Sequence, residues 1–266
     1  MLVADRMFLR APAKVTLSLA LTGVRRDGYH EIRAEMVTVD LEDILEVRPG
    51  DGLEVVDAVE WCGLPAELPA HRGEPASGRN LVEQALDLVA KTAAVRLTKR
   101  IPAGAGLGGG SADAAAVLRW AGRTSLAEAT RLGADVPFCL GGGRALVSGT
   151  GEVVESLEVR AAHYLLVVPR LHVSTPVVYA AWDELGGPRG DYGNDLEPAA
   201  LAVAPGLRWW RDVLAAASGR RPRLAGSGGT WFVEGEEDEL ATLASQVRAE
   251  VVAGRESALV KVVATR

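Results

Sequence analysis

The sequence predicts an α+β protein, and three observations predict this class. Long stretches of the first half alternate apolar and polar residues, which is typical of half-buried strands. In the middle of the chain a glycine-rich turn separates a short strand from an alanine-rich helix. The second half alternates strands with helices, as in an α+β sandwich.

The first half predicts a sheet. In residues 8–23, Val15 and Leu17 fall on one face of a strand, whereas Lys14 and Thr16 fall on the other. Residues 32–47 and 53–56 continue the alternation, and residues 60–78 predict a loop. A lysine on the polar face of a largely buried strand is either a surface residue that snorkels to water or part of a site.

A capped helix comes before the glycine-rich turn. Asn80, followed three residues later by Glu83, is close to a capping box, and the helix is expected to run to about residue 93. The cap alone is a sufficient structural reason for Asn80. Residues 94–101 then alternate in polarity and predict another strand.

The glycine-rich turn predicts a phosphate-binding loop. Glycine lets the backbone take positive φ and lets a ligand approach closely, and free N–H groups at a helix start bind anions. The alternative is a turn that binds no ligand. The candidate phosphate-binding residues are Pro102, Gly104, Ala105, Gly106, Leu107, Gly108, Gly109, Gly110 and Ser111.

Two common phosphate loops fit this stretch incompletely. The spacing of Gly104, Gly106 and Gly109 matches the dinucleotide fingerprint, but no second strand with an acidic residue follows the helix. The Walker A pattern would require a lysine where this chain has Gly110.

A rigid turn over residues 133–137 presents an aspartate. Asp135 stands between small residues, and Pro137 follows it, so the position is neither mid-helix nor mid-strand. A carboxylate on such a turn can be aimed at a ligand.

The segments after this turn predict the remaining elements. Residues 144–147 and 153–159 are predicted to form a hairpin. Near residue 175 a helix begins, with Pro176 in its first turn. The other predicted elements are a strand over 164–169, a helix over 207–217, a second glycine-rich turn at 224–230 that leads into a strand, a helix over 236–253 and a strand over 258–263.

Composition excludes several classes of protein. The 266 residues are 48% hydrophobic and 24% charged, which is sufficient for a globular core. The formal net charge of −6 disfavours a nucleic-acid-binding surface. No apolar run reaches membrane-spanning length, and the N-terminus lacks the apolar region of a signal peptide. We therefore expect a cytoplasmic enzyme that uses neither a membrane nor nucleic acid.

Several motifs together resemble those of the GHMP kinases. They are Pro12-Ala13-Lys14, residues 102–112 and residues 226–232. Further motifs resemble the members of that family whose acceptor is a cytidine diphosphate-linked methylerythritol. These motifs are residues 27–30, residues 133–137, Thr175-Pro176 and Asn194-Asp195. The resemblance extends over nearly the whole chain in the family's order.

The resemblance implies a two-domain fold with the active site in the cleft between the domains. Residues 1–160 would form a ribosomal-protein-S5-like domain that binds ATP, and residues 161–266 a ferredoxin-like domain. It also implies ATP with Mg²⁺, although it specifies neither the residues that bind the metal nor the oligomeric state.

The resemblance also implies roles for individual residues. Asp135 would be the base and Lys14 its partner, and the glycine-rich loop would hold the phosphates of ATP. Near the adenosine it places Asn80 and Lys99. Thr16 occupies a substrate-binding position that is usually asparagine. The residues implied for the cytidine pocket are Tyr29, His30, Thr175, Pro176 and Tyr179.

Two other functions stay open. The first alternative is a kinase for another small alcohol, such as homoserine, a mevalonate or a sugar. The second is a paralogue that binds a ligand without catalysis. The presence of both Lys14 and Asp135 disfavours the paralogue, and the Tyr29-His30 pair disfavours an alcohol without a base.

Overall fold

The computed structural model describes residues 6–63, 79–254 and 256–266. In chain order the elements are β1 (Met7–Val24), β2 (His30–Arg48), β3 (Gly52–Asp57), β4 (Cys62–Gly63), α1 (Leu81–Leu88), β5 (Ala94–Lys99), α2 (Gly109–Trp120), α3 (Leu126–Thr130), α4 (Val136–Gly141), β6 (Arg144–Gly149), β7 (Val153–Leu157), β8 (His163–Pro169), α5 (Thr175–Glu184), α6 (Glu197–Val203), α7 (Leu207–Ser218), β9 (Arg223–Leu224), β10 (Trp231–Gly235), α8 (Glu237–Ala253) and β11 (Ser257–Ala264). No helix within these ranges is long and apolar enough to cross a membrane.

The first sheet is built on a long antiparallel pair, β1 and β2. Its strand order is β3-β5-β2-β6-β7, with β1 paired to β2. The register shifts between Pro12 and Lys14 and again between Thr16 and Ser18. Such irregularities re-aim side chains. Here they bracket a segment, residues 13–16, in which every residue is buried. Lys14 is therefore held inside the protein.

The second sheet has the order β4-β11-β8-β10-β9, and helices α7 and α8 contact it. The predicted boundary between residues 160 and 161 falls between β7 and β8, which belong to different sheets. However, the short strand β4 of the first half also joins the second sheet. The division into two domains stays a prediction.

The hydrophobic core joins the two halves. One buried cluster includes Ala11 of β1 together with Val260 of β11. A second includes Val15 of β1 together with Phe232 of β10. The two sheets are thus packed together beneath the residues that the sequence implicates in function.

Several predicted boundaries were wrong. The helix predicted to reach residue 93 ends at Leu88, because the chain turns at Ala90 into the left-handed region with φ of 52°. Residues 62–63, predicted as loop, form β4, and residues 64–78 of that predicted loop lie outside the described residues. Helices α4 and α6 were not predicted; each is short and has a proline in its first turn, where proline is tolerated.

Candidate active site

The predicted phosphate loop connects β5 to α2. Gly104, Gly106 and Gly108 have φ of 70°, 77° and 68°, which glycine adopts at little cost. Gly108 is also the N-cap of α2 and has no side chain to cap the helix. The first N–H groups of α2 are therefore left without a side-chain acceptor, as an anion site requires.

The second glycine-rich turn, residues 224–230, packs against this loop. The Thr230 hydroxyl donates to the carbonyl oxygen of Ala105 at 2.6 Å. A Cβ on Gly106 would lie 2.6 Å from the carbonyl oxygen of Ala225, and a Cβ on Gly229 would lie 3.1 Å from the Cα of Ala105. The two backbones touch, so each turn fixes the shape of the other.

Asn194 holds the second turn in place. Its side-chain amide donates to the carbonyl oxygens of Leu224 at 2.8 Å and Gly226 at 2.7 Å, and its Oδ1 accepts from the N–H of Leu196 at 3.0 Å. The residue is 3% exposed. The sequence motif Asn194-Asp195 therefore has a structural reason that the sequence alone did not give.

Lys14 and Asp135 form the ion pair at the centre of the site. The Lys14 ammonium lies 3.2 Å from Asp135 Oδ2 and donates to the Thr16 hydroxyl at 3.0 Å. Lys14 is 4% exposed, so the alternative of a snorkelling surface lysine was wrong. Asp135 precedes α4, and its side chain is 32% exposed. Lys14 is thus fixed in the interior, whereas the carboxylate of Asp135 is partly exposed at the surface.

The phosphate loop contacts Lys14 directly. The N–H of Lys14 donates to the carbonyl oxygen of Leu107 at 3.0 Å. A Cβ on Gly108 would lie only 2.9 Å from Lys14 Cγ. The lysine stem therefore runs against the loop, and the ion pair lies beside the uncapped start of α2.

Asn80 and Lys99, which the resemblance places near the adenosine, are both engaged with the protein. Asn80 completes a capping box: its Oδ1 accepts from the N–H of Val82 at 2.9 Å, and its own N–H donates to Glu83 Oε2 at 3.1 Å. The Lys99 ammonium is bound by Asp43 and by Asp113. Contact of Asn80 or Lys99 with adenosine stays a prediction.

Residues of the implied cytidine pocket meet across the two halves. His30 Nε2 of β2 lies 2.9 Å from Asp183 Oδ1 of α5. The imidazole centroid is 4.9 Å from the Tyr179 ring and 5.6 Å from the Trp182 ring. Burial, with a further contribution from the charge of Asp135, raises the pKa of Tyr179 to about 12. This cluster therefore extends towards the ion pair.

The remaining pocket residues are more open to solvent. Tyr29 is 63% exposed. The Thr175 hydroxyl lies 2.7 Å from that of Ser227, which connects the start of α5 to the second glycine-rich turn. Pro176 follows in the first turn of α5 and is exposed. Of these three residues, Thr175 is the one whose side chain contacts the second glycine-rich turn, and contact of Tyr29 and Pro176 with a ligand stays a prediction.

Sequence reasoning missed five residues of this region. Each of them contacts a residue at least 14 positions away in the chain, and none of them was assigned a role from the sequence, although Ser227 lies within the motif of residues 226–232. They are Asp43 and Asp113 beside Lys99, Trp182 and Asp183 beside His30, and Ser227 beside Thr175.

Comparison with known proteins identifies the family. A model of the GHMP kinases N terminal domain matches residues 80–143. The 4-diphosphocytidyl-2-C-methyl-D-erythritol kinase of Rhodopseudomonas palustris is 34% identical over 275 residues, covering 88% of this chain and 90% of that protein. The enzyme of the same name from Thermoanaerobacter pseudethanolicus is 40% identical over 192 residues, covering 66% of this chain and 62% of that protein.

Solved structures agree with the sequence relatives. A crystal structure of 4-(cytidine 5'-diphospho)-2C-methyl-D-erythritol kinase superposes with a TM-score of 0.69 at 31% identity, covering 97% of this chain and 98% of that one. A homoserine kinase from Cytophaga hutchinsonii has a TM-score of 0.63 at 18% identity, covering 100% of this chain and 96% of that one, and shows the fold alone. The chain adopts the α+β fold of the GHMP kinases and belongs to the 4-diphosphocytidyl-2-C-methyl-D-erythritol kinase family.

Proposed function

We propose that this protein transfers the γ-phosphoryl group of ATP to the 2-hydroxyl of 4-diphosphocytidyl-2-C-methyl-D-erythritol. The observation that carries the proposal is the ion pair between Lys14 and Asp135, 3.2 Å long, beside the phosphate loop. The names of the relatives that cover most of the chain supply the identity of the acceptor. The reaction consumes ATP and yields precursors of isoprenoids, and we place it in the cytoplasm.

Phosphoryl transfer depends on positioning and on charge stabilisation more than on covalent chemistry. Asp135 is the group that accepts the proton of the acceptor hydroxyl. Lys14 holds this carboxylate in place, and its ammonium is available to the charge that develops on the transferred group. The N–H groups of Gly109, Gly110 and Ser111 at the start of α2 bind phosphate oxygens of ATP.

Mg²⁺ belongs to the same proposal. The described residues contain no group of three His, Cys, Asp or Glu side chains arranged to hold a metal ion. In nucleotide sites Mg²⁺ takes most of its ligands from phosphates and water and few from the protein. The ion would neutralise charge on the triphosphate.

Recognition of a cytosine is supported by the cluster of His30 and Tyr179. These residues come from opposite halves of the chain, yet their rings lie 4.9 Å apart. Stacking of a base on an aromatic ring contributes about 1–3 kcal/mol in nucleic-acid sites. An imidazole can also donate and accept hydrogen bonds at the edge of a pyrimidine. Tyr29, the residue before His30, is 63% exposed and belongs to the same proposal as a further ring on which the base stacks.

Two features of the site argue against the two alternative functions. A paralogue that binds ligands without catalysis has no need for a buried lysine paired with a carboxylate. A kinase for a small alcohol has no need for an aromatic cluster that joins the halves. The likeness to homoserine and mevalonate kinases is below 25% identity and concerns the fold alone.

A coupled ADP-release assay tests the proposal. Two acceptors share the methylerythritol group, and only one carries the diphosphocytidyl part. With ATP and Mg²⁺, we expect turnover of the cytidine-bearing acceptor and little turnover of the other. Equal use of both would indicate a general alcohol kinase, and ATP binding without ADP release from either would indicate the non-catalytic paralogue.

A further inference from the structure

Three charged residues form a buried cluster beneath the phosphate loop. Lys99 lies at the end of β5, Asp43 in β2 and Asp113 in α2. The Lys99 ammonium contacts Asp43 and lies 2.7 Å from Asp113 Oδ2. Asp43 is 0% exposed and Asp113 is 2% exposed. The cluster thus joins three elements through charges that have little access to water.

The cluster holds both ends of the loop. Asp43 Oδ1 accepts from the backbone N–H groups of Arg100 and Ile101, the latter at 2.9 Å, where the chain enters the loop. Asp113 lies one turn into α2, where the chain leaves it. A Cβ on Gly109 would lie 3.2 Å from the Lys99 ammonium. The charges therefore lie directly behind the N–H groups that we assign to phosphate.

The charges of the cluster do not balance when every group is ionised. Two carboxylates and one ammonium leave a net charge of −1 beneath a site for anions. Asp113 Oδ1 is buried and has no hydrogen-bond partner among the described residues. A proton on Asp113 would remove the excess charge and supply a donor, and the carboxylate of Asp43 is the acceptor within reach.

The directions in which the pKa values of these groups are shifted agree with this geometry. Burial raises the pKa of Asp113 to about 7; Lys99 opposes this shift, and Asp43 adds to it. Burial lowers the pKa of Lys99, but the charges of Asp113 and Asp43 more than reverse that effect, so the ammonium stays charged. On α4, Cys139 faces the same region, and burial raises the pKa of its thiol to about 12, which keeps it neutral. We assign the added proton to Asp113, because its Oδ1 has no hydrogen-bond partner among the described residues, whereas Asp43 Oδ1 already accepts from two backbone N–H groups.

We propose that Asp113 takes up a proton from solvent when a nucleoside triphosphate binds at residues 102–111, and that Asp43, Lys99 and Asp113 act as positioning residues for the loop. This inference rests on the proposed function, in which the loop binds ATP. The added proton forms an O–H bond on the carboxylate, and no other bond changes. Because linkage is reciprocal, the affinity for ATP falls as the pH rises through the neutral range.

Isothermal titration calorimetry tests the inference. The protein is titrated with ATP in the presence of Mg²⁺ at pH 8, in two buffers of different ionisation enthalpy, and the difference in heat gives the number of protons taken up on binding. We expect uptake of up to one proton by the wild-type protein and a smaller uptake by Asp113→Asn. The matched control, Asp87→Asn, changes an exposed carboxylate on the neighbouring helix α1 and should behave as wild type. Proton exchange by ATP itself is common to all three proteins and cancels in the comparison.

The same experiment measures affinity. The dissociation constant of the wild-type protein for ATP should rise with pH by at most about tenfold per pH unit, the limit for one linked proton, and that of Asp113→Asn should change less. Equal proton uptake by wild type and Asp113→Asn would overturn the inference and leave the proposed function intact. Failure of the wild-type protein to bind ATP would overturn both.

A second measurement covers the case in which Asp113→Asn does not fold. Infrared difference spectra of the wild-type protein with and without ATP report the carbonyl stretch of protonated carboxyl groups. We expect this absorption to increase on binding at pH 8. No increase would overturn the inference without use of any variant.

Discussion

Replacement of Gly108 by alanine tests the contact between the phosphate loop and Lys14. Gly108 has φ of 68° at the N-cap of α2, and a Cβ there would lie 2.9 Å from Lys14 Cγ and 3.1 Å from its Cε. The lysine has little freedom to move aside. Its backbone N–H is bonded to Leu107, and its ammonium is held by Asp135 and Thr16.

The expected losses follow from these distances. An alanine in the left-handed region costs roughly 1–2 kcal/mol of folding stability wherever it occurs. The contact with Lys14 adds a displacement of the catalytic pair, and a misplacement of about 1 Å can cost roughly a hundredfold in rate. We therefore expect kcat of Gly108→Ala to fall by about a hundredfold, with a modest loss of stability.

Gly219→Ala is the matched control. Gly219 has φ of 62° after the end of α7, and a Cβ there would meet no atom of the described residues within 4 Å. Urea unfolding should give similar losses of stability for the two variants, and coupled ADP release should show a loss of kcat in Gly108→Ala alone. If kcat of Gly108→Ala matched that of Gly219→Ala, the loop would not position Lys14 and the reasoning would be refuted.

Three further substitutions test the site and its supports. Asp135→Asn and Lys14→Met should each lower kcat by about 10²–10⁴-fold with little change in the urea midpoint, and wild-type kcat in either would remove that residue from the mechanism. Asn194→Ala leaves the carbonyl oxygens of the second glycine-rich turn without their buried donor, so the free energy of unfolding should fall by about 1–3 kcal/mol in urea titrations; an unchanged midpoint would contradict the role of the amide. The raised pKa of Asp113, about 7 against an ordinary 3.8, means that the folded state binds more protons than the unfolded state between these values, so wild-type stability should fall as pH rises through this window. Asp113→Asn should flatten that fall, and an equal slope in both proteins would show that another group causes it.

The sequence predicted those parts of the fold that local pattern determines. Alternation located β1 and β2, and the Asn80 cap located the start of α1, because both signals lie within a few neighbouring residues. The glycine-rich loop was placed correctly between β5 and α2 for the same reason. Local pattern could not give the end of α1, because an alanine, Ala90, takes the left-handed conformation there.

The parts of the site that escaped prediction depend on long-range contacts. Asp43 and Lys99 are 56 residues apart in the chain, and His30 and Asp183 are 153 apart. Nothing in the neighbourhood of either aspartate in the sequence marks it as a partner. The pairing of Lys14 with Asp135 was predicted from the resemblance, because a family motif surrounds each residue, and the fold adds the distance of 3.2 Å between them.

Identification of the reaction product tests the central claim most directly. The protein is incubated with ATP, Mg²⁺ and 4-diphosphocytidyl-2-C-methyl-D-erythritol, and the product is analysed by phosphorus NMR and mass spectrometry. We predict one ADP for each acceptor consumed, with the new phosphate on the 2-hydroxyl, and formation of this product at least about a hundredfold more slowly by Asp135→Asn. Phosphate on a different hydroxyl, or ADP formed without a phosphorylated acceptor, would contradict the account.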